Sequence, residues 1–124
     1  MNCNASDTGT EDRAEMAENR AQQAVSGPSV DPGLVATDVA MLSALGNDTR
    51  YELLRLIAAA EEGVCVCELE AAVGVSQSAV SQALSRLHET GLVNRRKEES
   101  WRYYRATETA ERVLNTLDDL RGDR

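Results

Sequence analysis

The chain has 124 residues and a mass of 13.5 kDa, room for one compact domain and a tail, and carries a net charge of −8. Hydrophobic residues make up 42% of it but aromatics only 3%, with no Phe, so the core must be built from Leu, Val, Ile and Ala, which suits helices better than a β-sandwich. These values argue against a membrane-spanning chain, since no apolar run approaches the roughly 18 residues required, and against a uniformly basic nucleic-acid binder.

The acidic N-terminus lacks the basic-then-apolar order of a secretory signal, so a cytoplasmic location is expected. In that compartment three cysteines, an odd number, point away from a disulfide framework and toward metal binding, redox sensing or buried free thiols. Charge is unevenly spread: −4 over residues 1–33, −5 over 34–75, +3 over 76–105 and −2 over 106–124. Lys97 is the only Lys; the other twelve of the 13 bases are Arg. A salt-loaded cytoplasm favours such an acidic, Lys-poor composition, and a GC-rich genome gives the same bias.

Residues 1–33 read as a flexible acidic N-terminal tail, with transient helix around Thr10 to Val25 and the punctuation "GPSVDPG" at its end. The domain is expected over 34–122. A first helix runs from Leu34 to Leu45, with an apolar surface, Val35, Val39 and Leu42 with Leu34, Met41 and Leu45, wide enough for one side to meet a partner subunit. After "GND", Asp48 caps a second helix from about Thr49 to Ala60 that buries Leu53, Leu54 and Ile57. "EEGVCV" is a turn into a short extended piece. "CELEAAV", residues 67–73, is a two-turn helix with Leu69 and Val73 on one face, stopped by Gly74 in the left-handed conformation. Ser76 caps a longer helix reaching about Thr90 and ending at Gly91. Its apolar stripe is Val80, Ala83, Leu84 and Leu87; its polar stripe is Ser78, Ser81, Gln82 and Ser85. "LVNRRKEESWRYYRA" is a hairpin with strands Leu92 to Lys97 and Trp101 to Ala106 around the turn "EES". Thr107 caps a last helix carrying Ala110, Val113, Leu114, Leu117 and Leu120.

This order, mainly α with a small β-hairpin wing, is that of a winged helix-turn-helix. Short uncharged Ser and Gln side chains both donate and accept hydrogen bonds, which suits base edges and phosphates on a helix lying in the major groove. An ordinary solvated face would instead carry Glu and Lys. The candidate DNA-binding residues are Ser76, Gln77, Ser78, Ser81, Gln82, Ser85 and Arg86 on that helix, and Arg95, Arg96, Lys97 and Arg102 on the wing, where cations track phosphates or enter a minor groove. Glu98 and Glu99 dilute the wing's charge or pair with its arginines. Trp101 and Tyr103 alternate with Tyr104, so at least one side of the hairpin is packed core.

Together "NDTRYELLRLI", "VCVCELEAAVGVSQSAVSQALSRLHETGLV" and "RRKEESWRYYRA" resemble the ArsR-type metal-sensing repressors over about residues 34–120. The resemblance implies a homodimer joined through its first and last helices, each subunit presenting Gln77, Ser78, Ser81, Gln82 and Ser85 to half of a palindromic double-stranded operator. It also implies that Cys65 and Cys67 bind a thiophilic inducer, arsenite or antimonite, or else cadmium, lead or zinc, with no obligatory cofactor. Soft ions prefer thiolates, which a helix N-terminus favours. The arsenite-sensor pattern expects a third cysteine at position 70, where this chain has Glu70. Glu70 is either turned to solvent or held near the pair as an oxygen ligand or hydrogen-bond partner. Cys3 is either a third sulfur donated by the tail or a terminal residue of no consequence. The plain alternative for Cys65 and Cys67 is two small buried hydrophobes.

On a regular helix, residues two apart point to opposite sides, so capture of one ion by both sulfurs is expected to unwind the start of the 67–73 helix. That helix supports the reading helix through Leu69 and Val73. Some ArsR-type proteins use His and Asp on the last helix for zinc or nickel. Residues 107–124 contain no His, so such a site is not expected, and His88, the only His, reads as a surface residue. Competing functions are a redox-switched or ligand-independent winged-helix regulator and a winged-helix protein-interaction module. An enzyme is not expected, because there is no CxxC, no paired His and acid, and no glycine-rich phosphate loop.

Overall fold

A computed structural model describes residues 27–123. The elements are α1 Pro32–Leu45, α2 Asp48–Ala59, β1 Val64–Cys65, α3 Val66–Val73, α4 Gln77–Glu89, β2 Val93–Glu98, β3 Trp101–Ala106 and α5 Glu108–Arg121. Thr37–Arg124 forms one compact unit, and the core lies wholly within it. The expected tail helix around Thr10 to Val25 lies outside the described residues.

α1 starts at Pro32, two residues ahead of the expected Leu34, because proline's fixed φ suits a first helical position that needs no N–H donor. Asp31 Oδ1 accepts from the Gly33 N–H at 3.2 Å. At the α1–α2 corner the cap is Asn47, one residue before the expected Asp48; its Oδ1 accepts from the Arg50 N–H at 3.0 Å, leaving Asp48 in the first turn, where the helix dipole favours an acid. Arg50 then reaches back, Nε donating to Ala44 O at 2.7 Å and Nη2 to Ser43 O at 2.9 Å, so its cation satisfies carbonyls at the end of α1.

The core is aliphatic, as the composition requires. Leu53, Leu54 and Ile57 of α2 meet Leu69 of α3 and the Val80, Ala83, Leu84 and Leu87 stripe of α4, closed by Leu92, Val93, Tyr104, Ala110 and Leu114. Gly74, at φ 68°, turns the chain between α3 and α4 in a conformation that a side chain disfavours.

The sheet has three strands in the order β1-β3-β2, all antiparallel. The hairpin differs from expectation at both ends. Leu92 is not in β2: Gly91 at φ 78° closes α4, and the Leu92 N–H donates to Leu87 O at 3.0 Å, which sends its side chain into the core. At the tip Glu98 pairs with Trp101, so the turn shrinks to Glu99 and Ser100, with Glu99 in the left-handed region at φ 57°. The short extended piece before α3 proves to be a strand, pairing Val64 with Tyr104 and Cys65 with Tyr103.

Candidate nucleic-acid interface and thiol pair

α4 separates its two faces completely. Val80, Ala83, Leu84 and Leu87 are buried, whereas Gln77, Ser78, Ser81, Gln82, Ser85 and Arg86 are exposed. Ser76 has a structural use too, its Oγ accepting from the Ala79 N–H at 3.0 Å as the helix cap. The whole expected reading face is thus presented on one rigid, capped helix.

On the wing Arg95, Arg96, Lys97 and Arg102 are all exposed. The register sets Lys97 directly opposite Arg102, a like-charge cross-strand pair that is unfavourable until an anion lies between them. Arg96 is partly engaged, 3.6 Å from a Glu98 oxygen and with its guanidinium 5.8 Å from the centre of the Tyr103 ring. Tyr104 is buried while Trp101 is 49% exposed, so one side of the alternation is core and the other is open.

Cys65 lies in the extended piece, as expected, at φ −78° and ψ 147°, and acts as the N-cap of α3, which starts one residue early at Val66. Its sulfur accepts from the Cys67 N–H at 3.3 Å, and Glu68 Oε1 accepts from the Cys65 N–H at 3.0 Å. The rule that residues two apart diverge therefore does not apply, and the two sulfurs converge to 2.7 Å without unwinding. Cys65 is buried and Cys67 exposed. The expected lowering by the helix N-terminus does not prevail at Cys67: its hydrogen bond with Cys65, then desolvation, then the charges of Cys65 and Glu68 push this thiol up.

Cys67 opens into a hollow of about 390 Å³ whose lining includes Glu70, Gln77 and Ser81 and, from the hairpin, Trp101 and Arg102. Glu70 is half-buried there, beside the cysteine and not out in solvent, yet no group of three His, Cys, Asp or Glu residues able to hold a metal ion occurs among the described residues. Cys3 lies outside the described residues. His88 is exposed, as expected.

Sequence reading missed Arg55. It donates to Tyr51 Oη at 2.9 Å and to Asp118 Oδ1 at 2.8 Å, tying α2 to α5, and Asp118 also accepts from Arg121. Hydrogen bonding by Arg55, then by Arg121, holds the Asp118 carboxyl below its ordinary range. Arg55 and Asp118 are 63 residues apart, a separation at which no local pattern operates.

The exposed large apolar residues include Val39 and Leu42 on α1 and Leu120 on α5, at 54%, 67% and 78% exposure. No helix among the described residues is long and apolar enough to cross a membrane.

Comparison with known proteins bears on this geometry. The family model described as "Bacterial regulatory protein, arsR family" matches residues 47–95. A Halobacterium salinarum protein named "Putative arsenical resistance operon repressor ArsR2" is 72% identical over 95 residues, 77% of this chain and 80% of the relative. A second from the same organism, named as the corresponding repressor ArsR, is 43% identical over 98 residues, 79% of this chain and 72% of the relative. Among solved structures, the homodimeric winged helix-turn-helix DNA-binding domain of a possible ArsR-family transcriptional regulator from Mycobacterium bovis superimposes with a TM-score of 0.68 at 26% identity, over 80% of this chain and 92% of that one.

Proposed function

We propose, since this chain belongs to the arsR family of bacterial regulatory proteins, that it is a homodimeric repressor released from its operator by a trivalent metalloid held on Cys65 and Cys67. The observation that carries this reading is the convergence of two free sulfurs, 2.7 Å apart, one of which, that of Cys67, lines a hollow shared with Gln77, Ser81 and Arg102. The same side of the molecule thus brings together soft-ion ligands, the start of the reading helix and a wing cation.

Operator DNA would be read by the exposed stripe of α4, with Ser76, Gln77, Ser78, Ser81, Gln82, Ser85 and Arg86 at base edges and phosphates. Arg95, Arg96, Lys97 and Arg102 supply sequence-independent affinity. Arsenite or antimonite, which take three ligands in a pyramid, suit soft thiolates, with cadmium, lead or zinc wanting three or four ligands. An arsenic bonded to both sulfurs would hold them further apart than they stand in the hydrogen-bonded pair, so capture spreads the two cysteines. Coupling of about 1–3 kcal/mol between such sites suffices to release a repressor. Val39, Leu42 and Leu120 are among the exposed apolar residues on the two helices assigned to the dimer.

The test is titration of the operator complex with arsenite, antimonite, cadmium and zinc. Release from wild-type protein and retention by Cys65→Ser/Cys67→Ser is the expected pattern, and equal release from both overturns the inducer role. The closeness of the sulfurs also favours a second reading, a switch driven by thiol oxidation, which predicts operator release by peroxide with metalloids inert.

A further inference from the structure

We propose that Trp101 contacts DNA, its ring packing on a deoxyribose of the strand that passes between α4 and the wing, a grip that does not depend on charge. This rests on the reading of α4 and the wing as the DNA-binding surface and adds a residue that the polar and cationic stripes leave out.

Trp101 is 49% exposed, whereas Tyr104, three residues on, is buried. The open ring is not on a loose turn: Trp101 pairs with Glu98 across the hairpin, which fixes its place in β3. Arg96 stacks on Tyr103, but among the described residues no cation lies over Trp101, and its indole N–H has no hydrogen-bond partner. Ring and donor are both available. Arg102, the next residue along, has no ion-pair or hydrogen-bond partner among the described residues either.

Placement decides the partner. With Ser100, Gln77 and Ser81, Trp101 and Arg102 line the hollow of about 390 Å³, which thus lies between the tip of the wing and the start of the reading helix. When a helix occupies the major groove, the sugar–phosphate strand bordering that groove runs between the helix and a wing reaching the adjacent minor groove. A strand crossing there brings Trp101 a deoxyribose, an apolar face beside a phosphate. Indole suits both, the ring packing on the sugar and the N–H donating to a phosphate oxygen. Glu70 lines the same hollow and repels phosphate, so the uncharged sugar is the part that enters while the phosphate stays with Arg102.

Charge makes such a contact useful. The chain carries −8 overall, which opposes DNA at a distance. At about 1 M salt the screening length is only about 3 Å, so the wing's cations lose much of their hold. A ring packed on a sugar displaces no counterions and keeps its strength under those conditions.

The experiment uses the full-length protein, a fluorescein-labelled duplex from the DNA upstream of its own gene and an unrelated duplex of equal length, with anisotropy read over a salt series. Trp101→Ala should weaken binding to both duplexes about tenfold or more, as loss of an aromatic ring against a nucleotide does. The slope of log affinity against log salt should stay as in wild type. Trp101→Phe should recover most of the loss, since a ring remains. Emission from Trp101, the sole tryptophan, should shift on adding unlabelled duplex, and its quenching by acrylamide should fall. Unchanged affinity in Trp101→Ala, a lowered salt slope, or emission that DNA leaves unmoved overturns the inference while leaving the DNA-binding reading standing. A loss that Phe does not restore and that comes with a lower melting temperature assigns Trp101 to the fold alone and overturns it too. Failure of the wild-type protein to bind either duplex overturns the DNA-binding reading and the inference together.

Discussion

Cys65 has two separable roles, helix cap and candidate ligand. Serine is among the best N-cap residues, and its hydroxyl can accept the Cys67 N–H as the sulfur does. Cys65→Ser should therefore keep thermal stability within about 1 kcal/mol of wild type while abolishing metalloid capture, checked by thermal melts alongside metal analysis. At Cys67 the raised thiol means that at neutral pH the proton stays on sulfur and must leave when a metalloid binds. The sign follows: the protonated form is the one the fold favours, its contribution is full below the ordinary thiol range and lost as pH rises through the raised value, and capture of a divalent cation becomes easier in that same direction. Apparent affinity for cadmium, which displaces thiol protons into solution, should strengthen between pH 6 and pH 8, by up to about tenfold per pH unit for each proton that must be displaced, whereas arsenite, whose hydroxide leaves with the thiol proton as water, should show no such gain, as read by competition with a chromogenic thiol reagent. In the core, Leu84→Ala removes a fully buried side chain beneath the reading face and should cost about 2–5 kcal/mol in urea unfolding.

Among the elements, the proposed function has α4 and the wing divide the work of DNA binding between choice and grip. Replacing Arg102 by Ala should weaken all DNA sequences alike and reduce the slope of log affinity against log salt by about 0.9 if it meets one phosphate. Gln82→Ala should cost about 1–3 kcal/mol on the preferred operator and little on others, and fluorescence anisotropy over a salt series separates the two. The helices were legible in the sequence where both faces carry a contrasting stripe: α4 has four buried aliphatics set against Ser and Gln, and its limits came out as expected. β1 was not legible as a strand, because two residues hold no period; its identity comes from pairing with Tyr103 and Tyr104, some 40 positions on. Leu92 looked like strand because its apolar character fits one, and backbone geometry at Gly91 decided otherwise. The convergence of the sulfurs was hidden for a related reason. Cys65 sits at the last extended residue and Cys67 inside the helix, so no single periodicity describes the pair.

For the whole molecule, the Arg55–Asp118 pair fastens α5 to α2, at side-chain exposures of 31% and 24%. Asp118 is held below the ordinary carboxylate range, so its stabilisation is present above about pH 4 and is lost as pH falls through the lowered value. Asp118→Asn should be less stable than wild type at pH 6, and the gap in urea midpoints should close as the solution is acidified below the ordinary Asp range. On α1 and α5, Leu42→Asp or Leu120→Asp places a charge on exposed apolar surface that the proposed dimer covers. Either should give a folded monomer by analytical ultracentrifugation, with operator affinity lowered at least tenfold.

Cys65 is where β-structure ends and helix begins, so one sulfur is fixed to the strand paired with the wing and the other rides on the first turn of the helix-turn-helix. A bridge between the two sulfurs would work like a staple across a folded card. Under the proposed function it would set the angle between the arm assigned to the DNA backbone and the rod assigned to the bases.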